Sequence, residues 1–220
     1  MKSMNIEFYG LPGSGKSTIS HLVAEVLKKQ NINVIEPSYD MDNNSKIIRI
    51  IKKMYKTIIL YIFHHEDYRM LDSVIKSSNY HNKDILKQMS NIAYKYLYYL
   101  KEKKDNIVYI WDEGLVQSAI SVSSLNVKII NNNLKKMTSN FNNILNIYIK
   151  VDKKVAFDRM KKRLKHESRV EQLSYEQKDD FINNIKYCCE NIEYDIIIDN
   201  SNKEIKVDEI IKYIKDKVRS

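Results

Sequence analysis

The chain has 220 residues, 43% of them hydrophobic, which is the size of one α/β domain and enough to bury a sizeable core. Its net charge of +9 comes mostly from Lys spread along the whole length, with no basic block interleaved with aromatics, so a nucleic-acid motif is not indicated. The longest purely apolar stretch, Ile58 to Phe63, is far too short to span a bilayer, and the N-terminus lacks the charged-then-apolar pattern of a signal peptide.

In chain order, Met4 to Tyr9 reads as a short buried strand that stops at Gly10. Ser17 to Gln30 is helical, with Ile19, Leu22, Val23, Val26 and Leu27 on one face. Ile32 to Glu36 is a second strand, and Pro37 predicts an extended turn after it. Only helices are expected from Met41 to about Lys104, where Ile47, Ile51, Met54 and Ile58 recur at helical spacing. Ile107 to Asp112 and Ile144 to Val151 are the third and fourth strands. Helices are expected over Lys153 to Lys165 and Tyr175 to Asn191, then a strand from Tyr194 to Asp199 and a last helix from Glu204 to Val218. Strands alternating with helices imply an α/β fold with a mostly parallel sheet covered on both faces. The whole chain, 1–220, reads as one domain, with 38–106 as a helical acceptor-binding insert.

Gly and Pro are scarce, yet three of the four Gly and one of the two Pro fall between Gly10 and Gly15. Gly10-Leu11-Pro12-Gly13-Ser14-Gly15-Lys16-Ser17 has the spacing of a phosphate-binding P-loop, between an apolar strand and an amphipathic helix. Small residues let backbone N–H groups curl around phosphates, and the helix N-terminus adds partial positive charge. Lys16 then reaches the terminal phosphates of ATP, Ser17 supplies a hydroxyl to magnesium, and Thr18 continues the cradle. Asp112 and Glu113 end the third strand, where open α/β sheets place their ligands; Asp112 is the candidate magnesium partner, while Glu113 and Gln117 face the acceptor. Glu36, at the end of the second strand, is a candidate proton acceptor for an attacking hydroxyl.

Only six of the 37 basic residues are Arg, and Arg159, Arg163 and Arg169 lie within eleven residues. A guanidinium fork grips phosphate oxygens in two places, so the cluster reads as a lid over the nucleotide at about 153–175. Cys188 and Cys189 are adjacent, a poor disulfide geometry on a helix, and no Cys/His spacing suits a metal; a reduced, cytoplasmic protein is expected.

These motifs resemble the thymidylate-kinase-like branch of P-loop nucleoside and nucleotide kinases. Val34-Ile35-Glu36-Pro37 is similar to that family's Glu-Pro turn, and Asp112 stands at the acid of its Asp-Arg pair. The stretch Asp158 to Arg163, with Ser168-Arg169-Val170-Glu171-Gln172, is similar to its lid. Asp199-Asn200-Ser201-Asn202 resembles the turn bordering adenine, which implies nucleotide contacts for Asn200 and Ser201. The resemblance implies a five-stranded parallel sheet of order 2-3-1-4-5 and transfer of the ATP γ-phosphate to a small acceptor. The chain departs from the family at Glu113, where an Arg is expected, and at Pro12, where an acid is usual. It also has no Arg between Lys83 and Ile110. These departures point to a nucleoside or another neutral hydroxyl compound as acceptor. A nucleotide switch is the competing reading; Asn82-Lys83-Asp84-Ile85 lacks the guanine-reading pattern. A small molecule is the expected partner, with neither nucleic acid nor membrane, and a homodimer is the candidate assembly.

Overall fold

The structure is a computed structural model that describes residues 3–77, 82–101, 106–123, 125–162, 174–202 and 207–219. β1 (Met4–Gly10) enters α1 (Lys16–Lys29) through the glycine-rich loop, and the short β2 (Val34–Ile35) follows. Four helices come next: α2 (Pro37–Asp42), α3 (Lys46–Phe63), α4 (His65–Lys76) and α5 (Asn82–Lys101). β3 (Val108–Trp111), α6 (Leu115–Val122), α7 (Val127–Thr138), β4 (Ile144–Lys150) and α8 (Lys153–Lys161) lead to α9 (Tyr175–Glu190), β5 (Ile196–Asp199) and α10 (Val207–Arg219).

The sheet is parallel, with the order β2-β3-β1-β4-β5 that the resemblance implies. β1 is central: Ile6 pairs with Ile110 of β3 on one side and with Leu145 of β4 on the other. Alternation along the strands divides the core by chemistry. Ile6, Phe8, Val108, Ile110, Leu145 and Ile147 pack as one mostly aliphatic cluster with residues of α1 and α10. The opposite parity is aromatic, with Tyr9, Tyr109, Trp111 and Tyr148 packed with residues of α5, α6 and α9. On that second face, buried Asn5 accepts a bond from Trp111 Nε1 at 2.9 Å.

Local structure differs from the sequence reading at Pro37. No extended turn follows β2; Pro37 is the first residue of α2 and Glu36 its N-cap. Proline's fixed φ and missing N–H suit the first helical position, where that donor has no intrahelical partner. Cys188 and Cys189 are buried free thiols, and burial pushes the Cys189 thiol up to about 12. Among the described residues no helix is long and apolar enough to cross a membrane.

Candidate active site

With β3 and β4 on opposite sides of β1, connections leave the strands in opposite directions, opening a crevice at their carboxyl ends. The loop after β1 lies there. Gly13 (φ 80°) and Gly15 (φ 91°) occupy the left-handed region that disfavours side chains. Space is absent too: a Cβ on Gly13 would sit 2.5 Å from the Ala156 carbonyl oxygen, and one on Gly15 2.5 Å from Asn200 Nδ2. Gly15 is the N-cap of α1, no side chain bonds to the cap, and the first turn holds no acid. No side-chain cap or acid of the first turn therefore competes with an anion at this helix N-terminus.

Lys16 is 9% exposed, and its Nζ donates to the carbonyls of Gly10 at 3.1 Å and Leu11 at 3.0 Å. The Ser17 hydroxyl donates to Asp112 Oδ2 at 2.7 Å, joining the start of α1 to the end of β3. Ser14 Oγ, Asp112 Oδ1 and Arg159 Nη1 are buried without a hydrogen-bond partner among the described residues. Buried polar atoms ordinarily have partners, so their gathering at one loop marks a place for a polar ligand. Arg159 projects from α8 toward this loop, its Nη1 3.9 Å from the position of a Gly15 Cβ. Arg163 and Arg169 lie outside the described residues, as does the rest of the lid from 163 to 173.

The residues present fit a magnesium ion. One hydroxyl and one carboxylate with an unpartnered oxygen are the protein ligands this ion takes beside phosphate oxygens. No denser group of metal-binding side chains occurs among the described residues.

The side where the sequence reading expects the acceptor has a different character. Glu113 is exposed just beyond β3, and Gln117, one turn into α6, accepts from the Gly10 N–H at 3.5 Å. Glu36 is only 4% exposed, and both of its oxygens are engaged: Oε1 with Lys28 Nζ at 2.6 Å, Oε2 with His21 Nδ1 at 2.8 Å. It joins α1 to the start of α2, with each oxygen held by a residue of α1. Two lysines that the sequence reading passed over stand on this side. Lys95 of α5 donates to Gly114 O at 3.3 Å and Ser118 Oγ at 2.9 Å. Burial pushes its ammonium below the ordinary value, against the pull of Glu113, Glu7 and Asp112. Lys53 of α3 donates to Asn91 Oδ1 at 2.7 Å. Burial lowers it too, helped by Lys95 and Arg49 and opposed by Asp42 and Glu113. The spacing Arg49-Lys53-Lys56 was the available signal, being one helix face.

Glu7 is the third site-related residue missed in the sequence. It is fully buried in the middle of β1, accepts the N–H groups of Leu115 and Val116 at 2.8 Å each, and also accepts the Tyr99 hydroxyl. Burial raises its carboxyl above the ordinary value, and those three donors oppose the rise. An acid inside an otherwise apolar strand was its signal. It fixes the start of α6, and so the strand end that carries Asp112 and Glu113.

Beyond β5, Asn200 Nδ2 donates to Ser14 O at 2.7 Å, and its N–H donates to Lys150 O at 2.9 Å. Asn200 is thus a brace under the loop. Ser201 Oγ accepts from the Asp152 N–H at 2.9 Å, tying this turn to the start of α8.

No family model matches the chain. Among solved structures, it is similar to a deoxyadenosine kinase from M. mycoides with the products dCMP and a flexible dCDP bound. The identity is 21% over 98% of this chain and 99% of that one, with a TM-score of 0.50. An APS kinase from Mycobacterium tuberculosis in complex with AMPPNP and APS is 11% identical over 100% of this chain and 99% of that one, TM-score 0.49. The M. mycoides enzyme with bound dATP gives 21% over 99% and 100%, TM-score 0.48. Sheet order and the likeness to the first of these show the P-loop kinase fold.

Proposed function

We propose that the protein is an ATP- and magnesium-dependent small-molecule kinase, transferring the γ-phosphate to a hydroxyl or phosphate of a nucleoside- or nucleotide-like acceptor. One observation carries the reading: three unpartnered buried polar atoms, on Ser14, Asp112 and Arg159, meet at a glycine-rich loop opening a helix. A loop that only bound nucleotide would have no use for a guanidinium held beside it from α8. Phosphoryl transfer does, because charge spreads over the transferred group.

In this reading Lys16 exchanges its carbonyl partners for phosphate oxygens, and the N–H groups of the loop and α1 hold the phosphate chain. Ser17 and Asp112 hold the magnesium ion, which neutralises phosphate charge when bound. Arg159 stabilises the transferring group, with Arg163 and Arg169 proposed to join it from the lid. Glu113 is the better candidate to orient the attacking oxygen, because both Glu36 oxygens are already engaged. Catalysis would then be largely positioning and electrostatics. Lys95, bonded to the Gly114 carbonyl next to Glu113, with Lys53 on the neighbouring helix α3, favours an acceptor bearing negative charge, where the sequence alone pointed to a neutral one. The helical segment between β2 and β3 supplies these lysines, which supports its role as the acceptor-binding insert. Asn200 and Ser201 remain proposed neighbours of the nucleotide base.

ADP release measured across nucleosides, nucleoside monophosphates and other small hydroxyl compounds tests this. At least one acceptor is expected to raise turnover well above background hydrolysis, with an anionic one preferred. Lys16→Ala should lower that turnover by about a hundredfold or more, the loss expected when a central transition-state charge is removed. Turnover that no acceptor raises would sink the reading.

A further inference from the structure

The turn that follows β3 is held from one helix. Lys95 and Tyr99 lie four residues apart on α5, so they share a face. Lys95 Nζ donates two of its three N–H groups to this turn, one to Gly114 O and one to Ser118 Oγ. Tyr99 acts on both sides of Asp112. Its ring stacks on Trp111, the residue before, with 5.5 Å between centroids and 25° between planes. Its hydroxyl donates to Glu7, whose carboxylate takes the Leu115 and Val116 N–H groups beyond Asp112. Gly114 is the one glycine outside the phosphate loop, and a Cβ on it would overlap that carboxylate. Asp112 thus sits between two fastened segments.

Glu7, Tyr99 and Trp111 are all fully buried. A packed interior transmits a shift rather than absorbing it, so a displaced α5 moves the turn with it. Asp112 Oδ2 accepts from Ser17, while Oδ1 is buried without a partner among the described residues. The main chain on either side therefore decides where Oδ1 points. Without the Tyr99 hydroxyl, Glu7 would keep only the two backbone donors. Without the Lys95 ammonium, Glu7, Asp112 and Glu113 would lose the cation whose charge acts on all three.

We infer that Lys95 and Tyr99 are positioning residues for magnesium, through which α5, a helix of the proposed acceptor insert, sets the direction of the Asp112 carboxylate. The inference rests on the reading of Asp112 as the magnesium carboxylate. Both side chains act through the turn: Lys95 by way of Gly114 and Ser118, Tyr99 by way of Trp111 and Glu7. Groups that orient a metal ligand from behind change metal affinity by about 10- to 100-fold when they are removed.

Calorimetric titration of the full chain with a non-hydrolysable ATP analogue, once with magnesium and once with EDTA, tests it. The ratio of the two dissociation constants is the magnesium contribution, and wild-type protein should bind more tightly with the metal. Asp112→Asn should remove most of that contribution. Tyr99→Phe and Lys95→Met should each lower it by about tenfold, with the affinity in EDTA unchanged. Tyr99→Phe keeps the ring that stacks on Trp111, so it tests the hydroxyl alone and decides the matter should Lys95→Met fail to fold. Tyr96→Phe is the control. It removes a hydroxyl bond of the same helix, to Asp67 of α4 at 2.8 Å, and should leave the magnesium contribution intact. A full contribution in Tyr99→Phe or in folded Lys95→Met, beside its loss in Asp112→Asn, overturns the inference and leaves the reading of Asp112 standing. A loss in Tyr96→Phe equal to that in Tyr99→Phe also overturns it, since any loosening of α5 would then have the same effect. No magnesium contribution in the wild type, or one that Asp112→Asn keeps, overturns the reading of Asp112 and the inference with it.

Discussion

Asn200 shows how much of the site depends on a residue that touches no reacting group. Its side chain holds the Ser14 carbonyl at 2.7 Å across a separation of 186 residues, and its amide nitrogen occupies the space a Gly15 side chain would need. Removing it leaves a buried carbonyl unpaired and loosens the curl of the loop. Asn200→Ala is expected to weaken ATP binding by about tenfold, the consequence of losing one buried hydrogen bond of about 1–2 kcal/mol. Titration calorimetry of the variant checks this, and an unchanged dissociation constant would make Asn200 a bystander. The loop itself was legible in the sequence because its residues are contiguous and each has a local reason. The brace was not legible as a brace, since it depends on β5 ending beside β1's loop with β4 between them. Glu36 teaches the same lesson in reverse. Its position at a strand end suggested a free carboxylate, but the partners that occupy it, His21 and Lys28, come from the preceding helix.

At the scale of elements, α6 is placed by a carboxylate rather than by a side-chain cap of its own. Gly114 is its N-cap without a side-chain bond, and Glu7 from β1 takes the Leu115 and Val116 N–H groups instead. A negative charge at a helix N-terminus also meets the favourable end of the dipole. Glu7→Ala should cost about 2–4 kcal/mol in urea unfolding, because it leaves buried donors and the nearby Lys95 without their acid. A loss under about 0.5 kcal/mol would mean that water takes over the Leu115 and Val116 N–H groups. The type of most elements was readable from periodicity, and their ends shifted by only a few residues. Pro37 is the exception, because a proline that ends a strand and one that opens a helix look alike until the next turn is placed. The orientation of α3 was equally hidden: spacing marks Ile47, Ile51, Met54 and Ile58 as one face but does not say which way that face points.

For the whole molecule, the parallel order β2-β3-β1-β4-β5 gathers parts that are far apart in the chain. Lys16 and Ser17 come from the start, Asp112 from the middle, Arg159 and Asn200 from the last third. The residues proposed for phosphate, metal and arginine functions thus converge at one edge of the sheet. The proposed acceptor side draws on α3 and α5, whose Lys53 and Lys95 the sequence did not single out, because in a Lys-rich chain spacing alone does not separate a half-buried lysine from a solvated one. The central claim is that this edge transfers a phosphoryl group rather than merely hydrolysing a nucleotide. The direct measurement follows the label from γ-labelled ATP, with magnesium and the best acceptor, in the wild-type protein and in Arg159→Ala. The account predicts label in the organic product, with transfer falling by about a hundredfold or more in the variant. Label appearing only as inorganic phosphate, at the same rate in both proteins, would contradict it.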